Sequence, residues 1–120
     1  MIESTNSQSA DHYTWGEVSD GWRLVDEPGL SVIEERVPPG AGEEWHLHQT
    51  AAQFFYLLEG SARMNTRDGA VDLEPRNGVQ VPPGIPHQLV YPGTADARFL
   101  VISAPNTRGD RRAASDGTTP

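Results

Sequence analysis

The chain has 120 residues, 36% of them hydrophobic, with 12 Gly and 10 Pro. That is enough for one core, and the Gly and Pro content favours strands and turns over helices. It contains neither Cys nor Lys, which excludes disulfides, thiolate nucleophiles, Cys-ligated zinc or iron–sulfur sites and Schiff-base catalysis. A net charge of −8 repels phosphate backbones and anionic lipid, so no nucleic-acid or membrane partner is expected. No apolar run approaches the ~18 residues of a membrane span, and the first residues lack the basic and apolar regions of a signal peptide. The expectation is a soluble cytoplasmic protein.

In chain order, residues 1–12 are polar and aperiodic and read as a flexible leader. Residues 106–120 read as a flexible tail in which Arg111 and Arg112 are solvated. The working domain is expected over 13–105. Within it, short apolar stretches divided by turn signals predict an all-β sandwich or barrel. The first strand covers 30–37, stopped by Pro38-Pro39-Gly40, and the most apolar covers 53–58, stopped by Glu59-Gly60. Strands at 62–66 and 70–74 flank Arg67-Asp68-Gly69, whose Asp-Gly pair suits a tight hairpin. Shorter strands follow at 78–81, 89–91 and 99–103, separated by Pro-Gly turns.

Three of the four histidines fall into one arrangement. His46 and His48 are two apart, so on a strand both rings point to one face while Trp45 and Leu47 point to the other. Imidazoles placed in this way can converge on one metal ion. Gln53 heads the next strand and offers an oxygen, and His87 follows the rigid Pro83-Gly84-Ile85-Pro86 turn. Taken alone, a His-x-His pair reads more readily as ordinary surface or hydrogen-bonded histidines than as metal ligands. His12, in the leader, is a remote candidate for a further ligand.

The spacing resembles that of a known family. Gly40-(five residues)-His46-x-His48-(four residues)-Gln53-(six residues)-Gly60 is similar to the first cupin motif, with Gln53 where the family usually has Glu. The stretch from Gly78 to His87, with its Pro82-Pro83-Gly84-Ile85-Pro86-His87 core, resembles the second motif. There Arg76 replaces the usual opening Gly, and Tyr91 stands where an Asn often lies. The resemblance implies a small single-domain cupin, a jelly-roll barrel (double-stranded β-helix) of two antiparallel sheets. It also implies one divalent metal, Zn, Ni, Fe or Mn, held by His46, His48, Gln53 and His87. Four neutral donors would leave the ion its full +2 charge, which favours anionic oxygen ligands.

Strand alternation from Gln53 sends Phe55 and Leu57 inward and Phe54, Tyr56 and Leu58 outward, where another sheet or a partner subunit must cover them; the resemblance to small cupins implies a homodimer. The same parity puts Leu89 and Tyr91 on the His87 face. The expected pocket is therefore lined by Phe55, Leu57, Leu89 and Tyr91. Tyr91 and Glu44, the latter on the expected His46 face, are the acid–base candidates. The expected activity is Lewis-acid chemistry on a small chelating carbonyl or enol compound, of cyclase, isomerase or lyase type. The motifs are similar to those of small polyketide cyclases and uronate-linearising cupins. The latter carry an Asp and a Phe just before a Ser-Pro, where this chain reads Val101-Ile102-Ser103-Ala104-Pro105. A metal-dependent dioxygenase and a non-catalytic ligand-binding barrel are the alternatives.

Overall fold

The computed structural model describes residues 2–117, and among these the regular structure is eleven β-strands with no helix. Among the described residues, no helix is long and apolar enough to cross a membrane. The strands are β1 (Asp11–Trp15), β2 (Ser19–Glu27), β3 (Leu30–Val37), β4 (His46–His48), β5 (Ala52–Glu59), β6 (Ala62–Thr66), β7 (Gly69–Leu73), β8 (Gly78–Val81), β9 (His87–Val90), β10 (Ala97–Ala104) and β11 (Arg111–Ala113). They form a six-stranded antiparallel sheet in the order β1-β2-β3-β10-β5-β8 and a five-stranded one in the order β11-β4-β9-β6-β7. This is the all-β, two-sheet jelly roll expected from the sequence.

Register explains how the interior is built. On the inner face of the larger sheet, Ile33, Val101 and Phe55 stand side by side across β3, β10 and β5, and Ser31, Ser103 and Gln53 form the next row. A third row runs Tyr13, Gly21, Glu35, Phe99, Leu57 from β1 to β5. Alternation then turns Val32, Ile102 and Phe54, with Leu100 and Tyr56, to the outer face. The core pools inner residues of both sheets, among them Leu57, Met64, Leu89, Tyr91 and Phe99, all buried. Burying a side chain of this size contributes about 1.5–3 kcal/mol, so these positions hold the sheets together.

The expected leader and tail both contribute strands. Asp11 and His12 belong to β1, paired with Arg23 and Trp22 of β2. His12 faces away from the other histidines: its Nε2 lies 2.8 Å from Asp20 Oδ1 and its ring lies against Trp22. Residues 111–113 of the tail pair with β4. A single buried carboxylate anchors them. Asp110 accepts from the backbone N–H groups of Gln49 (3.0 Å), Thr50 (3.1 Å) and Ala51 (2.9 Å), which close the turn after His48. These hydrogen bonds, chiefly that from Ala51, hold its pKa below the usual carboxylate value. Composition predicts solvated ends, but one acidic side chain met by three backbone donors overrides it.

Two turns bear on the motifs. Strands β6 and β7 close through Arg67 and Asp68, with Gly69 at φ 136° opening β7. Arg76, standing where the family usually has Gly, adopts φ 73° and donates its backbone N–H to Leu57 O at 2.8 Å. A side chain here carries a left-handed backbone that glycine would adopt without steric cost.

Candidate metal centre

Strands β4 and β9 pair at a single position, His46 opposite His87. That places two imidazoles side by side, with ring centroids 4.4 Å apart. Alternation along β4 adds His48, whose ring is 5.2 Å from that of His46 and 6.2 Å from that of His87. All three rings are buried, as is Gln53 on the facing sheet. Each of the four residues expected as ligands therefore sits in the interior.

Hydrogen bonds fix which atoms remain free. His46 Nδ1 donates to the Glu44 carbonyl and His87 Nδ1 to the Ile85 carbonyl, both at 2.9 Å. Since a carbonyl only accepts, both rings carry their proton on Nδ1 and leave Nε2 with its lone pair. His87 Nε2 is buried without a partner, and so is His48 Nδ1. Gln53 donates its amide N–H to Ser103 Oγ at 3.1 Å, which points its Oε1, also buried and unpartnered, elsewhere. Burial pushes the His46 pKa down to about 4 and lowers those of His48 and His87, so all three rings are neutral near pH 7. Three neutral imidazoles, two of them held by backbone carbonyls, with a carboxamide oxygen on the facing sheet, suit a divalent transition ion. Unsatisfied buried acceptors of this kind are costly unless a cation or a donor meets them.

The second carboxylate of the Glu43-Glu44 pair behaves differently from the sequence expectation. Glu44 stays exposed at the mouth, and only its backbone carbonyl meets His46. Glu43 is the one that turns in. Its Oε1 accepts from Leu89 N–H at 2.9 Å and lies 4.0 Å from His46 Nδ1. Glu43, His46 and His87 each present a ligand atom within 4.8 Å of the others. Burial raises the Glu43 pKa to about 7. The parity argument fails here because β4 begins only at His46; residues 43–45 are irregular, after a lone bridge between Gly42 and Val90.

A cavity of about 540 Å³ opens beside the histidines, within the range of small-molecule sites. His46, Gln53, Ser103, Glu43 and Glu44 line it, with Phe55, Val101 and Ile33 as apolar wall. Of the expected pocket residues Phe55 is on this wall. Leu57, Leu89 and Tyr91 are buried in the core and are not on this wall. Tyr91 shares the His87 face, but four residues along an extended chain is about 13 Å. Its ring stacks on Phe99 with centroids 5.7 Å apart, and its hydroxyl is buried without a partner. Burial, with Glu43 and Glu35 nearby, raises its pKa.

Among the residues at the cavity that sequence reasoning missed, besides Glu43, are Tyr13, Glu35, Thr107 and Arg111. Glu35 was legible, since alternation from buried Val37 through Glu35 to Ile33 turns all three inward. Arg111 and Thr107 were not, because only the Asp110 anchor brings the tail to the mouth.

The sequence profile of the cupin domain family matches residues 33–103. No curated protein matches the chain. Among solved structures, the polyketide cyclase RemF from Streptomyces resistomycificus superposes with a TM-score of 0.82 at 20% identity, over 96% of this chain and 87% of that one. KdgF from a Halomonas species gives 0.80 at 16% identity, over 89% and 98%. A sugar phosphate isomerase from Silicibacter pomeroyi gives 0.76 at 22%, over 87% and 76%. At such identities the likeness is one of fold.

Proposed function

The chain belongs to the cupin domain family, and from that premise we propose that it is a metal-dependent enzyme acting on a small chelating carbonyl or enol compound. His46, His48, Gln53 and His87 hold one divalent transition metal. The observation that carries this reading is the set of buried, unpartnered atoms, His48 Nδ1, His87 Nε2 and Gln53 Oε1, in a cluster where the Nδ1 atoms of His46 and His87 are already committed to backbone carbonyls. When bound, such an ion keeps its +2 charge among neutral donors and polarises a substrate carbonyl.

The chain's own residues supply the rest. Backbone carbonyls of Glu44 and Ile85 orient two imidazoles, and Ser103 orients the Gln53 amide. Phe55, Val101 and Ile33 keep one wall of the cavity apolar, which strengthens electrostatic interactions inside it. A polyketide cyclase and a sugar phosphate isomerase share the fold, and both names denote rearrangement of a substrate without an external oxidant. These likenesses favour non-redox chemistry over oxygenation. The outward Phe54, Tyr56 and Leu58, continued by Leu100 and Ile102, form an apolar face that a second copy of the chain covers in a homodimer.

Elemental analysis of the purified protein tests the metal. About one transition metal per chain is expected, and its loss in a His46→Ala/His48→Ala double variant. Retention of metal by that variant refutes the ligand assignment, and oxygen consumption during turnover refutes the non-redox chemistry.

A further inference from the structure

The wall of the cavity across from the histidines carries a pair of groups that the metal reading does not use. Tyr13 on β1, Gly21 on β2 and Glu35 on β3 occupy one register row on the inner face. A Cβ at Gly21 would lie 2.3 Å from Tyr13 Cζ and 2.6 Å from its hydroxyl oxygen. The phenol therefore lies flat across the glycine, and only the absence of a side chain there lets it reach the next strand. There it comes to Glu35, the next residue of the row, and hydrogen bonding from the phenol works to lower the pKa of that carboxyl against the effect of burial. Arg23, two residues along β2, places its guanidinium 4.1 Å from the centre of the Tyr13 ring and closes the pair from outside. Both Tyr13 and Glu35 line the cavity, on the sheet facing the one that bears His46, His48 and His87.

We propose that Glu35, positioned by Tyr13 across Gly21, is the group that moves a proton to and from the substrate, working from the wall opposite the histidines. The inference rests on the metal-dependent reading above and adds to it the catalytic base and its positioning residue. Ionised Glu35 takes a proton from the carbon next to the substrate carbonyl. The C–H electron pair becomes the new C=C bond, and the carbonyl π pair passes to oxygen. The acid form of Glu35 then returns a proton to carbon or to the rearranged product, so no oxidant or reductant is consumed.

The surroundings suit this role. Tyr13 faces Glu35 from β1 and Gly21 from β2, and Arg23 acts through the Tyr13 ring. Inner positions of β10 are the uncharged Phe99 and Val101, while Glu43 and Tyr91 act from the far side. Burial first, then Glu43, raises the Glu35 pKa to about 8, and the Tyr13 hydrogen bond opposes the rise. A carboxyl group tuned upward exchanges protons near neutrality more readily than an ordinary carboxylate.

Hydroxyacetone, a small chelating hydroxy-ketone, serves as probe. The Zn²⁺-loaded protein is incubated with it in D₂O, and deuteration of the CH₂ next to the carbonyl is followed by ¹H NMR across pH. Metal content and far-UV CD are measured on the same samples. The wild type is expected to accelerate exchange, and Glu35→Gln to cut that acceleration about 100-fold or more with metal content unchanged. In Tyr13→Phe the midpoint of the rising pH limb moves to higher pH, because a hydrogen bond favouring the ionised carboxylate is lost. A merely structural role for Tyr13 lowers the rate without moving that midpoint. Exchange undiminished in Glu35→Gln, or absent from a metal-loaded wild type, overturns the proposal while the metal site stands. A wild type that takes up no metal overturns the underlying reading instead.

Discussion

Replacing Gln53 by Glu should change the metal-free and metal-loaded proteins in opposite directions. Gln53 is only 7% exposed, its amide N–H is committed to Ser103 at 3.1 Å, and its Oε1 has no partner. A carboxylate of the same shape puts a charge in that place, with one Ser103 O–H as its available donor. Without a cation the unfavourable burial costs about 1–3 kcal/mol. For a domain of this size each kcal/mol corresponds to roughly 4 °C in Tm, so the metal-free variant should melt several degrees below wild type. With the ion present, the new negative charge faces a +2 centre, and an affinity gain of tenfold or more contributes at least about 1.4 kcal/mol. Thermal unfolding in EDTA and in saturating Zn²⁺ measures both limbs. The gap between the two melting temperatures should widen in Gln53→Glu relative to wild type. An equal gap in both proteins would mean that Gln53 does not face the ion, and the donor set would have to be redrawn.

Other consequences can be checked with simpler measurements. Phe54→Arg on the outer face should halve the molar mass seen by light scattering while leaving metal content unchanged; a dimer that survives the change refutes the proposed face. Arg76→Gly should leave stability unchanged or raise it by up to about 1 kcal/mol, since glycine adopts the left-handed backbone freely but loses more entropy on folding; a fall in Tm would show that the arginine side chain contributes something else. Asp110, whose folded pKa is depressed, adds stability that is present above the unfolded value of about 4 and lost as pH falls through the folded one. Asp110→Asn should therefore lower Tm at pH 7 and flatten the decline of Tm below about pH 4, as read by calorimetry. A variant with the wild-type acid limb would place the carboxylate outside the turn it is seen to close.

Particular residues show how much could be read from the chain. Alternation through Gln53, Phe55 and Leu57 gave the inner and outer faces of β5 correctly, because residues in a regular paired strand must point to opposite sides. The His46-x-His48 spacing and the Pro-Gly turn before His87 likewise set three rings on strands of one sheet. The same rule failed at Glu44, since two residues before His46 the chain is no longer a strand and parity has no meaning there. It could say that Tyr91 shares the face of His87, yet not that some 13 Å of extended chain carries the phenol past the cavity into the core. β1, β2 and β11 were invisible as strands for another reason. They lack a clean alternation of apolar and polar residues, and they are held by single contacts that no periodic pattern announces: Gly21, which leaves space for Tyr13 on the neighbouring strand, and Asp110, which caps three amides some sixty residues away. Local pattern thus determined which side chains point inward along each regular strand. Which of them meet around one cavity was decided by cross-strand register and by single long-range contacts, which are set by the energy of the assembled sheets and leave no periodic trace in the chain.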